Sequence, residues 1–142
     1  MPQQRELHDP WLIAIWPGMG SVAWLAGGYL VQQLGARQVD QLNCQGFYEP
    51  QAVEVNNGIV APARLPQCLW LEWRDPKKRH DLLFLIGEAQ PTQHGYEMCQ
   101  RLLDYAVSRG VMRFITFAAM ATQLMPNNTP RVFAAATDPY LL

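Results

Sequence analysis

A mixed, largely parallel α/β sheet with helices packed on it and one inserted β-hairpin is the fold class that the sequence predicts, on three observations. Short apolar runs alternate with helix-like stretches along the whole chain, the pattern of strands joined by crossover helices. The runs at 11–16 and 82–86 are apolar throughout, as in strands covered on both faces. Asn57-Gly58 stands between two β-rich runs, a strong signal for a two-residue hairpin turn.

Composition bounds the function classes. At 142 residues, 49% hydrophobic and 16% charged, the chain suits one α/β domain with a substantial core. Net charge is −1 and the only lysines are Lys77 and Lys78, so the broad basic surface needed for sequence-independent nucleic-acid binding is missing. Cys44, Cys68 and Cys99 are widely spaced with no C-x-x-C, which argues against a disulfide framework or a zinc site and for a reducing, cytoplasmic setting. The N-terminal "MPQQRELHDP" lacks the basic and apolar regions of a signal peptide. The longest apolar run, 22–31, is ten residues, too short for a membrane span.

The elements follow in order. Residues 11–16 form the first strand. After Pro17-Gly18, Ser21 is placed to N-cap a helix running to Leu34, with Gly35 at its C-terminal cap. This helix has no polar side chain between 22 and 31 beyond the Tyr29 hydroxyl, so all its faces are expected to be buried, by more of the domain or by a second subunit. "ARQVDQLNC" and "QAVEVNNGIVAP" alternate and supply the antiparallel insertion. Residues 68–74 and 82–86 read as strands around a polar turn at 75–80, whose charges are expected to be solvated. In the next helix, Tyr96, Cys99, Leu102, Leu103 and Ala106 hold the three-four spacing of a buried face, and Gly110 stops it. "VMRFITFAAMA" and "RVFAAAT" read as two more strands, and Asp138-Pro139 as the start of a helix.

Two segments could carry ligand chemistry. Gly18-Met19-Gly20-Ser21-Val22-Ala23 spells G-x-G-x-x-A between a strand and a helix, the variant dinucleotide fingerprint. Pro17 interrupts it, and Asp40, the only acid near the required distance, lies in polar "RQVDQLN" rather than at the end of an apolar strand. No cofactor is therefore expected, and small residues that let the turn pack tightly explain the pattern better. "GEAQP" at 87–91 follows a buried strand, where α/β ligands gather. Glu88 could act as acid or base and Gln90 as donor and acceptor, but both more simply satisfy loop and helix-start amides. A small-molecule reading would place an anion or nucleoside-like ligand among Gly18, Gly20, Ser21, Glu88 and Gln90. No catalytic residue stands out, since Ser21 is not in G-x-S-x-G, and Cys99 and His94 are five apart. His8, His80 and His94 have no metal-ligand spacing. The other reading is a non-enzymatic oligomeric protein whose interface is the first helix, through Val22, Trp24, Leu25 and Tyr29.

Three segments in order, "PGMGSVAWLAGGYLVQQLGA", "LLFLIGEAQP" and "PRVFAAATDP", resemble the proteasome assembly chaperone family, with its P-G-x-G turn, G-[DE]-A-Q-P-like loop and P-R-V-x-A-x-A-T-D segment. The resemblance implies a sandwich related to nucleoside phosphorylases and self-association. In eukaryotic and archaeal relatives it also implies help in building proteasome rings through protein contacts, so that proteasome-related or other protein subunits become candidate partners. Relatives continue past the T-D-P segment, which makes a chain shortened at its C-terminal end the expectation. Some relatives carry a tail with tyrosine next to last. Here Tyr140 is third from last, and docking through such a tail is not expected.

Overall fold

The apolar run at the start of the chain becomes the second strand from one edge of a five-stranded sheet. In a computed structural model, which describes residues 6–50, 52–123, 127 and 129–141, the elements are β1 (Trp11–Ile15), α1 (Val22–Leu34), β2 (Arg37–Leu42), β3 (Val53–Asn56), β4 (Ile59–Pro62), β5 (Cys68–Trp73), β6 (Leu82–Gly87), α2 (Gly95–Ser108) and β7 (Arg113–Thr116), with 3-10 turns at Met19–Ser21 and Pro139–Leu141. The sheet order is β2-β5-β6-β1-β7, and β3-β4 pair only with each other. β1 runs parallel to both β6 and β7, while β2-β5 and β5-β6 are antiparallel. This is the mixed α/β sheet with an inserted hairpin that the sequence predicts, except that "ARQVDQLNC", expected in the insertion, supplies the edge strand β2 of the main sheet through its pairing with β5. The hairpin turns on Asn57 (φ 53) and Gly58 (φ 80), the left-handed pair that a tight two-residue turn requires.

Alternation along the strands divides the interior in two. Leu12, Ala14, Cys68, Trp70, Leu83 and Leu85 point to one face, where Met98, Leu102 and Ala106 of α2 and the loop residues Cys44, Phe47 and Tyr48 close over them. Ile13, Ile15 and Phe84 point to the other, against Leu30, Val31 and Leu34 of α1. The turn between β5 and β6 is less solvated than its charges suggest. Asp75 and Asp81 are both buried. Asp81 accepts from the Asp75 and His8 backbone N–H groups at 2.9 Å each, and Asp75 accepts from Lys77 N at 3.0 Å and from Arg79 Nε at 2.9 Å. The Lys77 N–H above all, with Arg79, holds the Asp75 carboxyl down at about 2.

Four expectations need correction. Ser21 does not cap α1 through its side chain: it sits at φ 54 with no capping hydrogen bond. The buried face of α2 is Met98, Leu102 and Ala106, whereas Tyr96 is 86% exposed and Cys99 and Leu103 are exposed. Leu102 and Ala106 are buried as expected, and the contact with the sheet adds Met98 in place of Tyr96, Cys99 and Leu103. Residues 131–137 form no strand; Val132 and Phe133 are exposed, and among the described residues no backbone pairs with this segment or with the outer edge of β7. Strand propensity alone does not make a strand without a ladder partner. Finally, α1 is not buried all round: Leu25 and Tyr29 are exposed.

Candidate functional site

α1 touches the sheet through its smallest residues. Only Ala23 and Gly27 of this helix are buried. A Cβ built on Gly27 would lie 2.3 Å from Cδ1 and Cγ1 of Ile15, so glycine is what lets the helix approach β1. Leu30, Val31 and Leu34 then pack on the sheet further along. Everything larger in the first half of the helix faces away. Val22, Leu25 and Tyr29, spaced three and four apart, form one stripe at 40%, 70% and 63% exposure, with Trp24 beside it at 38%. Met19, in the preceding turn, is 62% exposed. No residue from 22 to 34 carries a charge. The result is an uninterrupted apolar face, the kind of surface that single exposed hydrophobic residues do not make.

The glycine turn beside it works differently from the expectation. A Cβ on Gly18 would meet nothing, and Gly20 is set apart by its φ of 62, a backbone conformation that favours glycine. Tight packing instead lies at Gly27 and at Gly87, where a Cβ would come within 2.2 Å of the Trp16 ring. The two ligand-candidate segments do meet: Gln90 Nε2 donates to the Pro17 carbonyl at 3.1 Å. Glu88 is held by a two-pronged pair with Arg64 at 2.8 and 3.1 Å and accepts from Gln67 N at 2.9 Å. The Arg64 guanidinium, with the Gln67 N–H, keeps the Glu88 carboxyl below the usual carboxylate range. Ser21, exposed, belongs to the same turn. Both Glu88 oxygens are thus engaged by the chain itself, and Gln90 is engaged through Nε2. Asp40 stands on β2, with β5 and β6 between it and β1, so it does not face the glycine turn as a ribose-binding acid must.

Under the strand-end loop, Tyr48 donates its hydroxyl to the Ala89 carbonyl at 2.7 Å, and Cys44 and Cys68 are buried next to it. Burial pushes the Cys68 thiol and the Tyr48 phenol far up, away from the ionised form that a nucleophile uses. Arg64 and Tyr48 were not legible as site-forming residues. Arg64 lies in a loop and reaches a carboxylate 24 positions away, and no local pattern marks that. His94 and Glu97, three residues apart at the start of α2 and a candidate pair by that spacing, engage other groups: the His94 carbonyl accepts from Met98 N, and Glu97 pairs with Arg101 at 2.7 Å. Among the described residues, no group of three or more His, Cys, Asp and Glu is placed to hold a metal ion, and no helix is long and apolar enough to cross a membrane.

A family model described as the PAC2 family matches residues 12–142. No curated protein matches the chain. Among solved structures, it is similar to PbaB of Pyrococcus furiosus, described as an archaeal proteasome activator, with 28% identity and a TM-score of 0.64 over 80% of this chain and 47% of that one. It shares its fold with a proteasome-assembly chaperone homologue of Mycobacterium tuberculosis, at 18% identity and TM-score 0.65 over 78% and 49% of the two chains. A Thermoplasma acidophilum protein of unknown function is similar in fold as well, at 21% identity and TM-score 0.55 over 76% and 41%. The chain spans about half the length of these solved relatives.

Proposed function

The chain belongs to the PAC2 family, and from that premise we propose that it is a non-enzymatic protein of the assembly-chaperone kind, acting through the apolar outer face of α1. On this reading residues 1–142 work as one α/β domain in the cytoplasm, and the domain self-associates. Its other partners are protein subunits, with proteasome subunits favoured by the description of PbaB as a proteasome activator. The observation that supports it most is Leu25 and Tyr29, 70% and 63% exposed on a helix with no charged residue. Apolar surface left in water costs about 25 cal/mol per Å² relative to burial, and a surface of this kind is a site for association. Neither a cofactor nor a catalytic group is needed.

The test is Trp24→Glu, read by sedimentation and circular dichroism together. Trp24 is 38% exposed: if the domain relies on its buried part, the charge unfolds the chain and the circular dichroism is lost, whereas an interface would have to desolvate the charge without a partner. The expected result is a folded, dissociated species. Glu88→Gln serves as the control: it loses an exposed ion pair, changes stability by no more than about 1 kcal/mol, and leaves association intact. A folded, still fully oligomeric Trp24→Glu protein would remove α1 from the interface and return weight to the strand-end loop holding Gly18, Gly20, Ser21, Glu88 and Gln90.

A further inference from the structure

We propose that Cys44 and Cys68 form a reversible disulfide that clasps the inserted segment at its base, so that the oxidation state of this pair sets how firmly the β3-β4 hairpin is held to the domain. Three observations carry it. The first is position. Cys68 is the first residue of β5, and Leu42, the last of β2, stands directly opposite it in the antiparallel pairing. Cys44 comes two residues after Leu42, and its thiol turns back to donate to the Leu42 carbonyl at 3.4 Å. That brings its sulfur toward the start of β5. Both cysteines are buried in one cluster with Tyr48. After burial itself, Cys44 is the neighbour that pushes the Cys68 thiol up most, as a nearby charge and as a hydrogen-bond partner. Two cysteines in this relation are the kind that a disulfide joins with little movement of the backbone.

The second is what the pair encloses. The residues between Cys44 and Cys68 include Phe47, Tyr48, the whole hairpin and Arg64. The hairpin strands pair only with each other, and Val53, Val55, Ile59 and Val60 are between 62% and 72% exposed. A two-stranded hairpin by itself is at best marginally stable in water. Polar contacts hold the insertion at its base, from the Tyr48 hydroxyl to the Ala89 carbonyl, from the Glu49 N–H to Thr92 Oγ1, and from Arg64 to Glu88. A covalent bond between the two ends adds to these by restricting the same residues in the unfolded chain.

The third is chemistry. Cys99, the remaining cysteine, is exposed on α2, away from the buried pair. With the Cys68 thiol held in its protonated form, the pair reacts slowly and stays reduced until a hydroperoxide is present. Cys44 is 5% exposed against 0% for Cys68, so its sulfur is the one that peroxide reaches. As the thiolate, Cys44 attacks a peroxide oxygen, the O–O bond breaks, and the departing oxygen takes up a proton and leaves as water. Cys44 is then a sulfenic acid. The Cys68 sulfur gives up its proton and attacks the Cys44 sulfur, the S–S bond forms, and the sulfenic hydroxyl leaves with that proton as a second water. Two thiols are oxidised and one hydrogen peroxide is reduced.

The experiment uses the full 142-residue chain with Cys99→Ser, a change at an exposed position. The folded protein is treated with graded hydrogen peroxide, alkylated in denaturant and mapped by mass spectrometry. The expected result is joint loss of the Cys44 and Cys68 thiols and a linked peptide that dithiothreitol releases. The oxidised form should melt several degrees higher, and amides of residues 53–62 should exchange with solvent more slowly. A Cys44 that proceeds to sulfinic acid while Cys68 stays a thiol overturns the proposal. So do thiols that both survive the peroxide, and a link that forms in urea but not in the folded chain. A link that leaves the melting temperature and the hairpin exchange unchanged overturns the clasp.

Discussion

The two faces of the sheet are built from equally apolar strands and end in different states. On the α2 face, thirteen residues form one buried cluster, and Trp70, Leu12, Leu83, Cys68 and Met98 have less than 2% of their surface exposed. On the α1 face, the buried cluster is Ile13, Ile15 and Phe84, with Ala23 and Gly27 of α1 buried against the sheet, and Leu71, Trp73, Leu82 and Ile86 around it are partly buried. The difference lies in the covering elements. α2 is amphipathic and turns Met98, Leu102 and Ala106 inward, and the loop bearing Cys44, Phe47 and Tyr48 completes the lid. α1 is apolar without a polar outer side and makes its closest approach through Gly27, so its larger residues remain outside. A closed face stabilises the domain, and the open one leaves Leu25 and Tyr29 in water.

The strongest way to break this contrast is truncation on each side. Trp70, which also stacks on Tyr105 at 4.4 Å, should cost about 3–5 kcal/mol when changed to alanine, the range for a large buried aromatic. Leu25→Ala, on the open face, should change the stability of the monomer by no more than about 0.5 kcal/mol. Urea denaturation at low protein concentration measures both, and similar losses would mean that the two faces are equally part of the core.

A second comparison sharpens the account of α1 itself. Gly27→Ala places a methyl group where Ile15 already stands and should destabilise by about 1–3 kcal/mol, as overpacking does. Gly28→Ala, one residue on and with nothing within 4 Å, should instead stabilise by about 0.5–1 kcal/mol through helix propensity. Thermal melts of the two variants check the sign. If both stabilise, the helix does not sit on β1 through Gly27.

The smallest effect concerns the turn that joins β5 to β6, the strands that carry Trp70 and Leu83. The Asp75 carboxyl is held at about 2, against roughly 3.9 in an unfolded chain. Because the folded value is the lower one, the stabilisation is complete above about pH 4 and is lost as pH falls from there toward 2. Urea midpoints should decline across that window, and Asp75→Asn should remove this component of the decline. An unchanged acid limb in the variant would show that the buried carboxylate does not contribute to holding β5 and β6 together.

Much of this architecture was legible in the residues. β1 and β6 announced themselves as continuous apolar runs, the β3-β4 hairpin as Asn57-Gly58, and the end of α1 as Gly35, which caps it at φ 66. The three ordered motifs pointed to the family that residues 12–142 match. The inward face of α2 was legible in part: Leu102 and Ala106 are buried as expected, but Met98 was missed, because Tyr96, Cys99 and Leu103 satisfy the helical period as well as it does. Nor were Arg64 with Glu88, or Asp75 with Asp81. Charged residues in loops look alike until the fold brings one to another.

By itself, then, the sequence determined most of the strands and both helices, though not the absence of a strand at 131–137, and that α1 carries no polar stripe from 22 to 31, because local periodicity, turn chemistry and composition are properties of neighbours in the chain. It could not determine which strands flank β1, since the placement of β6 and β7 on either side depends on contacts made across some seventy to a hundred positions. Nor could it show that Gly27 and Gly87, rather than Gly18, are the positions where side chains leave no room. Those were decided in the tertiary structure, where the bulk of Ile15 and Trp16 meets backbone brought close by packing. The same packing turned Leu25 and Tyr29 outward: an apolar helix can bury only the side that faces its sheet, and here that side is the one with the smallest residues.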